Sequence, residues 1–128
     1  MEWYNSLVKP EWTPSPSFIG LMWTLLYPII IVTFTYMLYR IARGTAPTSL
    51  LVPIAINVVS NIMFTPILFG LRNLPLASAD ILVVLATTAW CVVAFWPHSR
   101  LAALALTPYL AWVATATVLQ LSITWMNP

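Results

Sequence analysis

Trp12, Trp23, Tyr27 and Trp112 are the side chains with which this chain could do chemistry, because their faces can stack on a flat apolar ligand. Trp12 sits in Lys9–Pro16, where Pro10, Pro14 and Pro16 lack the backbone donor and push their predecessors toward extended conformations, so a loop is predicted there. An apolar helix follows from about Ser17, with Pro16 suited to its first turn and Ser15 or Ser17 to capping its free N–H groups. Gly20, Trp23 and Tyr27 recur at helical spacing along it. A rigid loop carrying one indole thus leads into a helix face carrying two more aromatics, the lid and wall of a pocket.

Two further stripes complete that pocket. Pro53, Asn57, Asn61 and Phe64 share a helical face with Ser60 beside them. An amide left unpartnered in hydrocarbon costs on the order of 4 to 8 kcal/mol, so both asparagines must point into a bundle interior or at a polar ligand group. Interhelical bonding suits Asn57, whereas Asn61 fits either role. Pro108, Trp112, Ala116 and Gln120 form the second stripe, a large indole above a small residue and an amide, which reads as a ligand slot. Beside it, Ala103, Thr107, Ala111 and Thr115 repeat every four residues, the small-residue pattern of close helix packing.

Conventional catalysis has no foothold. There is no Ser/His/Asp set, no pair of carboxylates and no phosphate-cradling glycine loop. His98 stands beside Pro97 without a second ligand, so no metal is expected, and no cofactor either. Asp80 reads as a first-turn acid complementing a helix dipole, with Arg72 as a candidate partner.

The elements that must hold these residues are membrane helices. Apolar residues make up 61% of 128 positions and charged residues 6%, against roughly 25% charged in a soluble domain. Four apolar segments of membrane-spanning length are predicted at about 17–42, 48–69, 78–96 and 99–126, an all-α transmembrane bundle in one domain over 1–128, with 1–16 as a capping loop. Pro53 and Pro66 should bend the second. Short connections make consecutive helices antiparallel neighbours. Met1 to Pro16 has no apolar core fit for a cleavable signal, so the first of these helices would serve as its own insertion signal.

The net charge of +2 is carried by five scattered basic residues, which excludes a nucleic-acid track. Cys91 is the single cysteine, so neither a disulfide nor a cysteine metal site forms within one chain. Arg40, Arg43 and Arg100, with His98, fall at one end of the bundle and Lys9 and Arg72 at the other. That bias puts both termini outside the cytoplasm. Trp3, Tyr4, Trp12, Trp96 and Trp125 fall near segment ends, where aromatic side chains anchor at the interface.

Trp3-Tyr4, Lys9-Pro10-Glu11-Trp12-Thr13-Pro14, Trp23-Thr24-Leu25-Leu26-Tyr27, the Asn61 to Gly70 stretch, Ala79-Asp80-Ile81, Ser99-Arg100-Leu101-Ala102 and Thr107-Pro108-Tyr109-Leu110-Ala111-Trp112 follow in order. In these the chain resembles the tryptophan-rich sensory protein and translocator protein (TspO/MBR) family, formerly the peripheral benzodiazepine receptors. The resemblance implies a helical bundle, commonly a homodimer, that binds porphyrins and similar flat ligands under the loop ahead of the Trp23 helix. By motif match the pocket would be lined by Tyr4, Trp12, Trp23, Tyr27, Asn61, Phe64, Trp112 and Ala116, with Pro108 on the same stripe. It also implies light-driven porphyrin degradation at Trp23 and Trp112, since an indole can quench or be oxidised by a stacked, excited porphyrin.

Phe64 stands where the family often has tryptophan, Thr115 where it has phenylalanine and Gln120 where it has asparagine. Leu119 to Pro128 lacks the tyrosine and arginine of the animal cholesterol motif, while Val32, Tyr36 and Arg40 match that motif formally. Met1 aligns with the loop that follows the family's first helix, so that helix is expected to be missing and a neighbouring copy to cover the groove. A small transporter of amphipathic solutes and a structural membrane partner are the competing functions; the transporter would call for internal repeats, and neither half repeats the other.

Overall fold

A computed structural model describes residues 2–128; Met1, the predicted start of the capping loop, lies outside the described residues. The described chain is helical: α1 (Glu2–Ser6), α2 (Pro16–Ala42), α3 (Leu51–Thr65), α4 (Leu74–Phe95), α5 (Arg100–Ala105) and α6 (Thr107–Met126). A 3-10 turn at Thr48–Leu50 leads into α3, and a π-helical turn at Pro66–Gly70 leads out of it. Four stretches, Pro16–Ala42, Thr48–Gly70, Leu74–Phe95 and Arg100–Met126, are long and apolar enough to span a membrane.

Local chemistry sets the ends of these helices. Ser15 Oγ accepts the Phe18 N–H at 3.1 Å and caps α2, with Pro16 opening its first turn. At the other end Gly44 takes φ +75°. The Thr45 N–H then reaches back to Arg40 O at 2.9 Å, the bond that closes a left-handed helix cap. The third span begins at Leu74, four residues before the predicted Ser78, because Asn73 Oδ1 accepts the Leu76 N–H at 3.0 Å and Pro75 suits the first turn. Asp80 is therefore in the second turn of α4 and outside the reach of the dipole argument. The capping stretch 1–16 is also more ordered than a loop, since α1 occupies its first part.

Prolines shape the spans in three different ways. Pro53 lies in the first turn of α3, where its missing donor costs little. Pro66 does interrupt the helix: the following turn widens, and Leu71 N–H bonds Pro66 O at 3.0 Å. Pro108 splits the fourth span into α5 and α6. Leu104 O, the carbonyl four residues before it, accepts the Thr107 hydroxyl at 2.6 Å instead.

In the bundle α4 is central, packed against α3 on one side and α6 on the other, while α2 leans on α5 and α6. Leu26, Phe34 and Met37 of α2 meet Val84, Cys91 and Phe95 of α4 and Tyr109 and Val113 of α6 in the core. Ile31, Val32, Val59, Ile62, Val93 and Leu101 point outward. Exposed aliphatic side chains on membrane-length helices are the lipid-facing surface. The small-residue stripe divides: Ala103 is fully buried, whereas Thr107, Ala111 and Thr115 lie on the exposed side. Within this chain it is not a packing seam beyond Ala103.

Candidate functional site

Between the capping segment and the centre of the bundle lies a cavity of ≈ 340 Å³, within the roughly 300–1,000 Å³ of small-molecule sites. Every membrane span contributes to it. Tyr4, Pro14 and Pro16 close it from the capping segment, and Ile19, Trp23 and Tyr27 wall it from α2. Asn61, Phe64 and Thr65 come from α3, and Leu68 and Phe69 from the π-helical turn. Ile81 and Val84 come from α4; Trp112, Thr115, Ala116, Leu119, Gln120 and Ile123 come from α6. Tyr27 both lines the cavity and is 43% exposed.

The aromatic walls are held by one another. Trp23 stacks on Tyr27 at 5.2 Å between centroids with 28° between planes, and meets Tyr109 edge-on at 6.3 Å. Trp112 packs edge-on against Phe18 at 6.0 Å. Its Nε1 is buried and has no hydrogen-bond partner among the described residues. Tyr4, outside the spans, packs on Phe69 at 5.8 Å and carries the Lys9 ammonium over its ring at 4.8 Å. Burial raises the Tyr4 phenol above its ordinary pKa and keeps it neutral.

A chain of polar bonds runs from the wall into the core. Tyr27 OH donates to Asn61 Oδ1 at 3.1 Å, Asn61 Nδ2 donates to Tyr109 OH at 2.7 Å, and Tyr109 OH donates to Asn57 Oδ1 at 3.0 Å. Asn57 Nδ2 in turn serves Thr87 Oγ1 at 3.0 Å and Thr88 Oγ1 at 2.9 Å. Asn57 is thus the interhelical tie its spacing suggested. Asn61 is both tie and cavity wall, and its second N–H and spare lone pair stay free for a ligand. Cys91 is buried in the core and takes no part in the site. Among the described residues no cluster of metal-ligating side chains forms.

The structure brings seven of the sequence-derived candidates together: Tyr4, Trp23, Tyr27, Asn61, Phe64, Trp112 and Ala116. Trp12 and Pro108 are left out. Trp12 is 51% exposed and faces a shallow groove with Pro10, Leu121, Ser122, Trp125 and Met126, because the Pro10–Thr13 turn carries it away from the cavity to the last turns of α6. Pro108, at the kink, lies on the exposed side of α6. Gly20 is likewise exposed, and Ile19 takes its place on the wall. The four-residue spacing of Ile19, Trp23 and Tyr27 was the signal for that face. Tyr109 was also missed; two amides four residues apart needed donors, and a tyrosine inside an apolar span could supply one. Arg72 does not pair with Asp80 but stacks on Trp3 at 5.7 Å, and Asp80 Oδ2 is buried without a partner among the described residues.

A family model for the TspO/MBR family matches residues 1–126. The chain is 37% identical over 126 residues to the uncharacterized membrane protein YtaB of Bacillus subtilis, covering 98% of this chain and 81% of that protein. It is 33% identical to the human translocator protein over 123 residues, covering 94% and 72% of the two chains. Against the tryptophan-rich sensory protein of Cereibacter sphaeroides it is 30% identical over 133 residues, covering 99% and 80%. Four spanning helices around an aromatic cavity and a match along nearly the whole sequence agree: the chain belongs to the TspO/MBR family of integral membrane proteins.

Proposed function

We propose that the cavity binds porphyrins and similar flat, apolar ligands, and that Trp23 and Trp112 carry whatever photochemistry follows when a bound porphyrin is excited. The observation that carries the reading is that these two indoles, far apart in sequence, wall one cavity whose other surfaces are mostly aromatic and aliphatic. A tetrapyrrole needs an apolar slot with few polar contacts, and Asn61 and Gln120 are polar side chains that line the cavity. The half-exposed Tyr27, on the membrane-spanning α2, is the wall past which a ligand dissolved in the bilayer would enter. No acid or base is required, since electron or energy exchange between indole and excited macrocycle needs only contact.

Titrating the protein in lipid nanodiscs with protoporphyrin IX while following tryptophan emission tests the reading. Saturable quenching in the micromolar range is expected; quenching no greater than that of empty nanodiscs overturns it. The protein is further proposed to work as a homodimer with both termini outside the cytoplasm. The exposed Thr107 and Ala111 support pairing, because small residues let helices approach closely. Native mass spectrometry in mild detergent should show a twofold mass, and a uniformly monomeric protein would contradict it.

A further inference from the structure

The segment that closes the cavity is tied down at one point by the end of the last helix. Asn127, immediately after α6, holds the backbone of Val8 from both sides: its Oδ1 accepts the Val8 N–H at 3.0 Å, and its Nδ2 donates to Val8 O at 2.8 Å. The same Nδ2 donates to Ile123 O at 2.8 Å, which fixes the side chain on its own helix. A carboxamide is the one side-chain group short enough here that offers an acceptor and a donor side by side, matching a peptide unit as a neighbouring strand would.

Val8 is the only residue of the capping segment held by a side-chain hydrogen bond from outside that segment, among the described residues. Apart from Ser15, whose Oγ caps α2 at the Phe18 N–H, the other polar side-chain bonds there are internal. Lys9 Nζ donates to Tyr4 O at 2.8 Å, Leu7 O at 3.1 Å and Asn5 O at 3.3 Å, and Thr13 Oγ1 donates to Pro10 O at 2.6 Å. Lys9 therefore ties the turn of residues 4–9 to itself and not to the bundle. On the cavity side the segment is held by the Tyr4 and Trp3 rings against Phe69. Tyr4, Trp3 and Leu7 also pack on the apolar cluster of Ile67, Leu68 and Leu119, so the Asn127 clasp is the polar fastening of a lid whose other end is held by apolar contact.

We infer that Asn127 is the latch of this lid, a positioning residue that touches no ligand but sets how fast the cavity under Tyr4, Pro14 and Pro16 exchanges its contents with the aqueous side. It rests on the cavity being a ligand site, but its test reads the lid directly. Three hydrogen bonds end on one side chain at a surface where water can replace them. Releasing it should leave the bundle folded while freeing residues 7–14 to lift. Asn127→Asp keeps the acceptor for the Val8 N–H and removes both donated bonds, so its effect should fall between wild type and Asn127→Ala.

The experiment places a cysteine at Ala116 on the cavity wall and measures its modification by a charged, water-soluble methanethiosulfonate in nanodiscs. Wild type, whose only thiol is the buried Cys91, serves as the blank. Adding Asn127→Ala should raise the modification rate about tenfold, equivalent to about 1.4 kcal/mol of lid opening, and Asn127→Asp should raise it less, with thermal unfolding of the bundle unchanged. Equal rates in all three backgrounds would overturn the latch. Should Asn127→Ala fail to fold, the Asn127→Asp rate decides alone. Failure of protoporphyrin binding with intact rate differences would overturn the proposed ligand and leave the latch standing.

Discussion

At the scale of single residues, the cavity separates aromatic side chains that wall it from those that merely anchor at the interface. Stacking on an aromatic face is worth about 0.5–1.5 kcal/mol beyond area burial. Trp23→Phe and Trp112→Phe are each expected to weaken protoporphyrin binding several-fold without loss of fold, whereas Trp96→Phe, on an exposed ring under Arg100, should change it little. Titrations of the three variants check this, and equal effects from all three would contradict the assignment of walls. Asn57 makes a different kind of contribution. It is 1% exposed, and its side chain bonds to Tyr109, Thr87, Thr88 and Val84. Side-chain hydrogen bonds between membrane helices average about 0.6 kcal/mol. Asn57→Leu should therefore lose about 2 kcal/mol in detergent-denaturation midpoints, with the Trp23 and Trp112 walls in place. Asn61→Leu should cost less stability but more ligand affinity, because its neighbour Tyr27 is already half-exposed.

At the scale of elements, capping residues and prolines decide where the spans start and break. Asn73→Ala should destabilise the bundle by about 1 kcal/mol, the usual cost of losing such a cap, while Asn73→Asp should restore it. Thermal unfolding in one detergent checks both. The existence and order of the four spans were legible from apolar length alone, and the α2 cap from Ser15-Pro16. The start of α4 was not, because Asn73-Leu74-Pro75 reads equally well as a turn until the Leu76 N–H is seen on the Asn73 side chain. The π-helical turn after Pro66 was legible only as a disturbance. Its physical consequence, Leu68 and Phe69 turned onto the cavity, depends on how the freed backbone re-bonds. Trp12 and Pro108 lie off the cavity for a related reason: a turn carries the one and a kink the other away from its wall.

At the scale of the whole molecule, the ends of the bundle differ in charge. Arg40, Arg43, His98 and Arg100 lie at one end with no carboxylate, while Glu2, Glu11 and Asp80 share the other with Lys9 and Arg72. Arg40 is engaged in structure, donating to Thr45 O at 3.1 Å and to His98 O, and so ties the α2–α3 connection to the α4–α5 turn. If the arginine-rich end is cytoplasmic, a cysteine placed at Ser15 should react with an impermeant maleimide from outside whole cells and one at Thr45 should not; the reverse pattern would invert the topology. The cavity faces the Ser15 end, so its lid would then meet the outer aqueous phase. The claim on which the account turns is that a porphyrin sits between Trp23 and Trp112. Illuminating the protein with protoporphyrin IX in nanodiscs and locating oxygen addition by peptide mass spectrometry tests it most directly. Oxidation concentrated on Trp23 and Trp112 is the predicted result; oxidation spread instead over the exposed indoles Trp12, Trp90, Trp96 and Trp125, with the two cavity indoles spared, would contradict it.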